Sequence, residues 1–184
     1  ILSECGRLQN MAYQLLDLAA LRELKTEVCS VDSLFQRVRE IMQVKAEKSG
    51  IALFFSGSGE HVIGNTELLI TLLSNLIDNA FKASEEGSAV RVSAERKEDK
   101  VIFEVKDQGI GMTREQIDHI KEAFYRVDKS RSRAAGGAGL GLSICDRIVE
   151  LHGGSLEFIS EPGRGTVAQV ILPGGEEETG FTTS

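Results

Sequence analysis

NTELLITLLSNLIDNAFKASEEGSAVRVSAERKEDKVIFEVKDQGIGM, residues 65–112, changes its periodicity halfway, and that change decides the fold class. At about 100° per residue, Leu68, Leu69, Leu72, Leu73, Leu76, Ile77 and Ala80 cover one continuous half of a helix surface. Asn65 or Thr66 is positioned to cap this helix and Gly87 to stop it. Asn75, Asn79 and Lys82 recur at i, i+4 and i+7, a polar strip along the margin of the apolar face. An Asn side chain offers an oxygen to a hard cation and an NH2 to a phosphate, and Lys adds positive charge one turn on. From residue 90 the period drops to two. Val90 and Val92, then Val101, Phe103 and Val105, flank the charged turn Lys97-Glu98-Asp99-Lys100, the pattern of a β-hairpin. Asp107 closes the second strand, and Gly109 and Gly111 follow. A carboxylate is thereby presented at a sheet edge beside backbone that a flat ring with an exocyclic amine could approach closely.

Ahead of this stretch, VDSLFQRVREIMQVKAEKSG (31–50) predicts a helix with Asp32 or Ser33 as N-cap and Gly50 as stop, and IALFFS (51–56) a short buried strand. Upstream, Ile1, Leu8, Met11, Leu15 and Leu18 form the stripe of a helix that packs against partner helices in a bundle or dimer. Ile1 falls inside that pattern, so a longer chain is expected upstream. Downstream, a short helix is expected near 113–120, then the basic, small-residue segment RVDKSRSRAAGGAG (126–139) as a mobile loop. The helix LGLSICDRIVELH (140–152) ends at Gly153 and Gly154, and EPGRG joins the strands SLEFIS (155–160) and TVAQVILP (166–173). The acidic end GGEEETGFTTS is expected to fray.

A chain of 184 residues, 41% hydrophobic, is long enough for one compact domain plus an extra element. Its net charge of −7 argues against a general nucleic-acid binder, which needs a basic surface to displace counterions. Cys5, Cys29 and Cys145 are odd in number and never in a CxxC pair, so neither a disulfide framework nor a zinc site is indicated, and a reducing cytoplasm fits best. No apolar run approaches the roughly 20 residues that span a bilayer.

GGAGLGLSIC (136–145) opens the helix at 140 with Gly137, Gly139 and Gly141 spaced GxGxG. The dinucleotide fingerprint GxGxxG fails at Leu142, and no Gly-Lys pair exists for a P-loop. A phosphate cradle of another kind remains: glycines at a helix N-terminus turn N–H groups toward an anion, and Arg126, Lys129, Arg131 and Arg133 lie just upstream.

Taken in order, these segments resemble the catalytic ATP-binding domain of sensor histidine kinases, of the GHKL or Bergerat-fold superfamily. NLIDNAFK (75–82) resembles the family's N box, DQGIGM (107–112) its first glycine box, EAFYRVDKSRSR (122–133) its F box and lid, GGAGLGLSIC its second glycine box and GRGT (163–166) its third. The resemblance covers about residues 26–173. It implies a two-layer α/β sandwich in which a mixed sheet packs on helices, with 1–25 as the end of a dimerisation and phosphotransfer helix, 26–175 as the catalytic domain and 176–184 as a flexible tail.

The same resemblance implies that Asn79 coordinates Mg2+ bridging the ATP phosphates, with Asn75 and Lys82 beside them, and that Asp107 accepts the adenine N6 amine, with Gly109 and Gly111 letting the base pack close. Arg126 and the lid would approach the phosphates, Gly137, Gly139 and Gly141 would cradle them, and Thr166 would lie near the base. Met112, Phe124, Tyr125, Lys129, Ala138, Leu140 and Leu142 complete the implied nucleotide contacts. Lys121 stands where the F box usually has a second Phe, which implies a different anchor beneath the lid. His119 and His152 lack the family's acceptor context and are expected on the surface, so the acceptor histidine would lie upstream of residue 1. The implied function is transfer of the γ-phosphoryl group to that histidine in a two-component system, with a response regulator as partner, homodimerisation through the first helix, and a cytoplasmic location in a membrane-anchored bacterial sensor. Hydrolytic relatives, the gyrase and Hsp90 group, carry a Glu that activates water where this chain has Asn75, which cannot act as a general base. A nucleotide-sensing scaffold without transfer is the non-enzymatic alternative.

Overall fold

In a computed structural model of the chain, the residues described are 25–57, 59–122, 125 and 140–176. The helix expected within 1–25, the mobile loop expected at 126–139 and the tail from 177 onward lie outside them.

The described elements are β1 (Glu27–Ser30), α1 (Val31–Ser49), β2 (Ala52–Ser56), β3 (His61–Gly64), α2 (Thr66–Ala83), β4 (Ala89–Lys97), β5 (Lys100–Lys106), α3 (Arg114–His119), α4 (Gly141–Leu151), β6 (Ser155–Ser160) and β7 (Thr166–Pro173). Five strands form a mixed sheet in the order β2-β4-β5-β7-β6, with β2 parallel to β4 and every other pair antiparallel. Its inward residues, including Val90, Val92, Val101, Phe103, Val105, Val170 and Leu172, share one core with α1, α2 and α4. Alternation put those valines on one face, and among the described residues α1, α2 and α4 pack on that face, which is the expected two-layer sandwich. Ile70 and Phe81 extend the buried face of α2 beyond the stripe read from the sequence.

Several boundaries differ from expectation. Two four-residue strands, β1 and β3, pair antiparallel in addition to the expected elements; outward-facing Val28 and Ile63 blur the alternation that marks longer strands. The N-cap of α1 is Ser30, whose hydroxyl accepts from Ser33 N, rather than Asp32 or Ser33, because Val31 N–H is already bound by Glu60 O and the Asp32 carboxylate accepts from Gly59 N. Asn65 caps α2 as expected, but the helix ends at Ala83, not at Gly87.

His152 is buried rather than on the surface. Its Nε2 accepts the Asn65 N–H at 2.9 Å, and Nδ1–H donates to Ile148 O at 2.7 Å, so both ring nitrogens are engaged by backbone. Gly64 leaves room for this ring: a Cβ there would lie 2.9 Å from His152 Cδ2. His152 thus joins the end of α4 to the start of α2. Cys145 Sγ on α4 points to Leu72 O, and Gly141 lies beside Asn75 and Asn79, so the two helices run antiparallel.

Candidate functional site

Because α2 and α4 are antiparallel, the N-terminus of α4 arrives at the polar margin of α2. A Cβ on Gly141 would stand 3.6 Å from both Asn75 Oδ1 and Asn79 Nδ2. Among the described residues, buried Asn79 Nδ2 has no hydrogen-bond partner, an arrangement that costs folding free energy unless a ligand supplies an acceptor. The first turn of α4 contains no acidic residue, and its N-cap, Leu140, makes no side-chain capping bond. Leu140 O is engaged inward by Ser143 Oγ and Ile144 N, and Leu142 packs on the core. The N–H groups of the first turn, without partners among the described residues, and the positive end of the helix dipole suit an anion beside the two amides. Lys82 points elsewhere: its ammonium pairs with Asp78 at 2.6 Å.

A second wall is built on the β5–α3 loop. Asp107 is buried, and its Oδ1 accepts from Gly109 N at 2.8 Å and Thr166 N at 3.1 Å. Among the described residues nothing donates to Oδ2, which leaves that oxygen for an outside donor. Burial raises the carboxyl pKa above its ordinary range against the opposing pull of those two N–H groups. The loop is clamped on both sides. Ile110 N donates to Ala83 O at the end of α2, and Gly163 N donates to Ile110 O from the β6–β7 turn. Met112 is buried, its N–H held by Ser160 Oγ, which also donates to Gly165 O and bonds Thr166 Oγ1. Ser160 ends an ordinary strand, and no spacing signal distinguishes it.

Close packing explains three of the glycines. A Cβ on Gly109 would fall 2.4 Å from Ala83 O, on Gly111 1.9 Å from Glu161 O, and on Gly165 2.2 Å from Asp107 O; Gly111 and Gly165 also have positive φ. Gly163 has φ of +76° but nothing near its missing Cβ. Gly165→Ala is therefore expected to lower unfolding free energy by about 2–4 kcal/mol, through strain plus displacement of the Asp107 backbone, and Gly163→Ala by about 1 kcal/mol, through strain alone. Urea unfolding of the two variants checks the difference.

Asn75, Asn79, Lys82, Asp107, Gly109, Gly111, Met112, Leu140, Gly141, Leu142 and Thr166 thus fall on two groups, one at α2 and α4 and one at the β5–α3 loop and the β6–β7 turn, joined where Ile110 N meets Ala83 O. Tyr125 lies apart, its ring 5.7 Å from that of His119, which is exposed and bonds Glu122. Phe124, Arg126, Lys129, Gly137, Ala138 and Gly139 lie outside the described residues. Lys121, in place of an aromatic anchor, reaches Asp146 on α4 at 2.9 Å. Among the described residues no cluster of His, Cys, Asp or Glu could hold a metal, and no helix is long and apolar enough to cross a membrane.

Residues 64–176 match the family described as histidine kinase-, DNA gyrase B-, and HSP90-like ATPase. Over 178 residues the chain is 33% identical to the sensor-like histidine kinase SenX3 of Mycolicibacterium smegmatis, covering 94% of this chain and 46% of that protein. It is 31% identical to the sensor protein SrrB of Staphylococcus aureus, covering 94% and 30%. The chain thus spans less than half the length of these relatives. Among solved structures, the mycobacterial sensor histidine kinase MprB superposes with a TM-score of 0.70 at 27% identity, covering 82% of this chain and 98% of that one. Full-length ShkA in complex with AMPPNP superposes at 0.74 and 26%, covering 92% and 36%.

Proposed function

The chain belongs to the histidine kinase-, DNA gyrase B-, and HSP90-like ATPase family and carries a catalytic ATP-binding domain of the sensor histidine kinase type, and from that premise we propose that it binds Mg-ATP at the α2–α4 site and donates the γ-phosphoryl group to a histidine on a segment upstream of residue 1. The observation that carries this reading is the buried Asn79 Nδ2, without a partner among the described residues, beside Gly141 at a helix start with no side-chain cap. Domains of this family bind ATP and Mg2+, and the donor set fits both. Asn79 Oδ1 is a hard oxygen ligand for Mg2+, which usually keeps waters and takes phosphate oxygens rather than a full protein cage. Asn75 and the α4 N–H groups would hold phosphate oxygens, and Lys82 would join them after leaving Asp78. The AMPPNP bound to ShkA supports the same class of ligand. Asp107 Oδ2 would accept the adenine amine, with Gly109 and Thr166 fixing the carboxylate.

When bound, ATP would supply the phosphoryl group and Mg2+ would offset phosphate charge. The protein's part is positioning and charge stabilisation, with no covalent nucleophile of its own. Asn75 disfavours hydrolysis, since an amide cannot take the proton of a water. A response regulator is the proposed onward acceptor, residues 1–25 the dimerising element, and a membrane-anchored bacterial sensor with this domain in the cytoplasm the proposed setting. The proposal is tested by joining the chain to its upstream segment and following label from γ-labelled ATP. An acid-labile, base-stable phosphoprotein is expected. An acid-stable product, or phosphate release without protein labelling, would overturn it.

A further inference from the structure

Lys82 is the one member of the polar strip that does not face the amides. It pairs with Asp78 Oδ2 at 2.6 Å, one turn back on α2. The other oxygen, Oδ1, is bound by the Lys45 ammonium reaching across from α1. Asp78 is the least exposed of the three, at 21% against 34% for Lys82 and 52% for Lys45. One carboxylate therefore holds two cations, one on each oxygen, with a net positive charge a single turn from Asn79. Burial alone would raise the Asp78 pKa, but the bonds from Lys45 and Lys82 outweigh it and hold the carboxyl below its ordinary value.

The second cation changes what Lys82 can do. A half-buried carboxylate stripped of its only cation keeps its desolvation penalty with nothing to offset it, so a lone Asp78–Lys82 pair would resist opening. With Lys45 on Oδ1, Asp78 stays paired when Lys82 departs, and the loss is one partly exposed ion pair, among the weakest interactions on a protein surface. An arriving polyphosphate offers Lys82 a more highly charged partner.

We infer that Lys45 is a positioning residue for the phosphate site: by occupying Asp78 Oδ1, it releases Lys82 to exchange Asp78 for a polyphosphate. The inference rests on the proposed role of Lys82 at the phosphates.

The test is displacement of a fluorescent ATP analogue by ATP on the whole 184-residue chain, in about 0.3 M salt so that distant charges are screened. Lys45→Met is expected to weaken ATP binding about two- to five-fold, the range of one partly exposed ion pair, and Lys45→Arg to restore it. Asp78→Asn should tighten binding by a similar factor and make Lys45→Met silent when the two are combined. Lys45→Met that weakens binding equally in the Asp78→Asn background acts as a distant charge, and the inference fails. Lys45→Met without effect in a chain where Lys82→Met weakens binding also overturns it, while the reading of Lys82 stands. Lys82→Met without effect removes the phosphate role of Lys82 and the inference with it. Thermal melts accompany each variant, and Lys45→Gln replaces Lys45→Met if the latter melts early.

Discussion

Replacing Asn79 by Ala is expected to lower ATP-dependent labelling of the upstream histidine by on the order of 10²–10³-fold while leaving the nucleotide-free fold as stable as the parent or more so. The first effect follows from removing the oxygen proposed to hold Mg2+, an electrostatic contribution of the size found for single charge-stabilising donors in other enzymes. The second follows from the amide itself. Asn79 Nδ2 is buried without a partner among the described residues, so deleting it relieves a desolvation cost of about 1–3 kcal/mol, against which stands the loss of a short side chain's packing. Labelling with γ-labelled ATP and urea unfolding of the same preparation measure the two. Parent-like labelling would remove Asn79 from the site. A large drop in stability would mean that the amide serves the fold instead of a ligand.

Asp107→Asn is the second large effect. Asn can still accept Gly109 N–H and Thr166 N–H through its Oδ1, so the loop keeps its bonds. The atom replacing Oδ2 becomes a donor and faces the adenine amine with the wrong polarity. ATP affinity is expected to fall about 100-fold, the consequence of an unpaired buried polar group on both sides of the interface. Stability should move the other way. Burial raises the Asp107 pKa above its unfolded value, so ionisation opposes folding: the cost is absent below the unfolded pKa, grows through the window up to the folded pKa, and is complete above it. Asn carries no such charge. The melting temperature of the nucleotide-free variant should therefore match or exceed the parent's at neutral pH, and the gap should close as the pH falls below the carboxylate range. Calorimetric titration with ATP and melts at several pH values check both halves. Unchanged affinity would sink the adenine role.

The long α2 pattern and the β4–β5 alternation were legible because period is a local property: each residue's face follows from its place in a regular element. Ends were harder to read, because competing partners come from elsewhere in the chain. The C-terminus of α2 is an example. Gly87 lies beyond it, but the Ala83 carbonyl is taken by Ile110 N, and the helix stops where the glycine loop docks. His152 differs from its expected surface place for a similar reason: it follows an amphipathic helix, and the backbone N–H of Asn65, 87 residues earlier, and the room beside Gly64 hold its ring inside. At the site, the residue types were readable, since amides, a carboxylate and glycines in that order have few other uses together. Lys45 and Ser160 carried no such signal. Their partners, Asp78 and the Met112 N–H, lie 33 and 48 residues away.

What the sequence determined by itself was the set of elements and the boxes borne on them: a helix edged by Asn75, Asn79 and Lys82, a strand ending in Asp107, and a glycine-led helix at 141. The tertiary structure decided which of these meet. Antiparallel packing of α4 on α2 puts Gly141 against the two asparagines, and the β5–β7 pairing delivers Thr166 N–H to Asp107. It also brought Lys45 of α1 onto Asp78, so that the carboxylate paired with Lys82 one turn away on α2 holds a second cation from another helix.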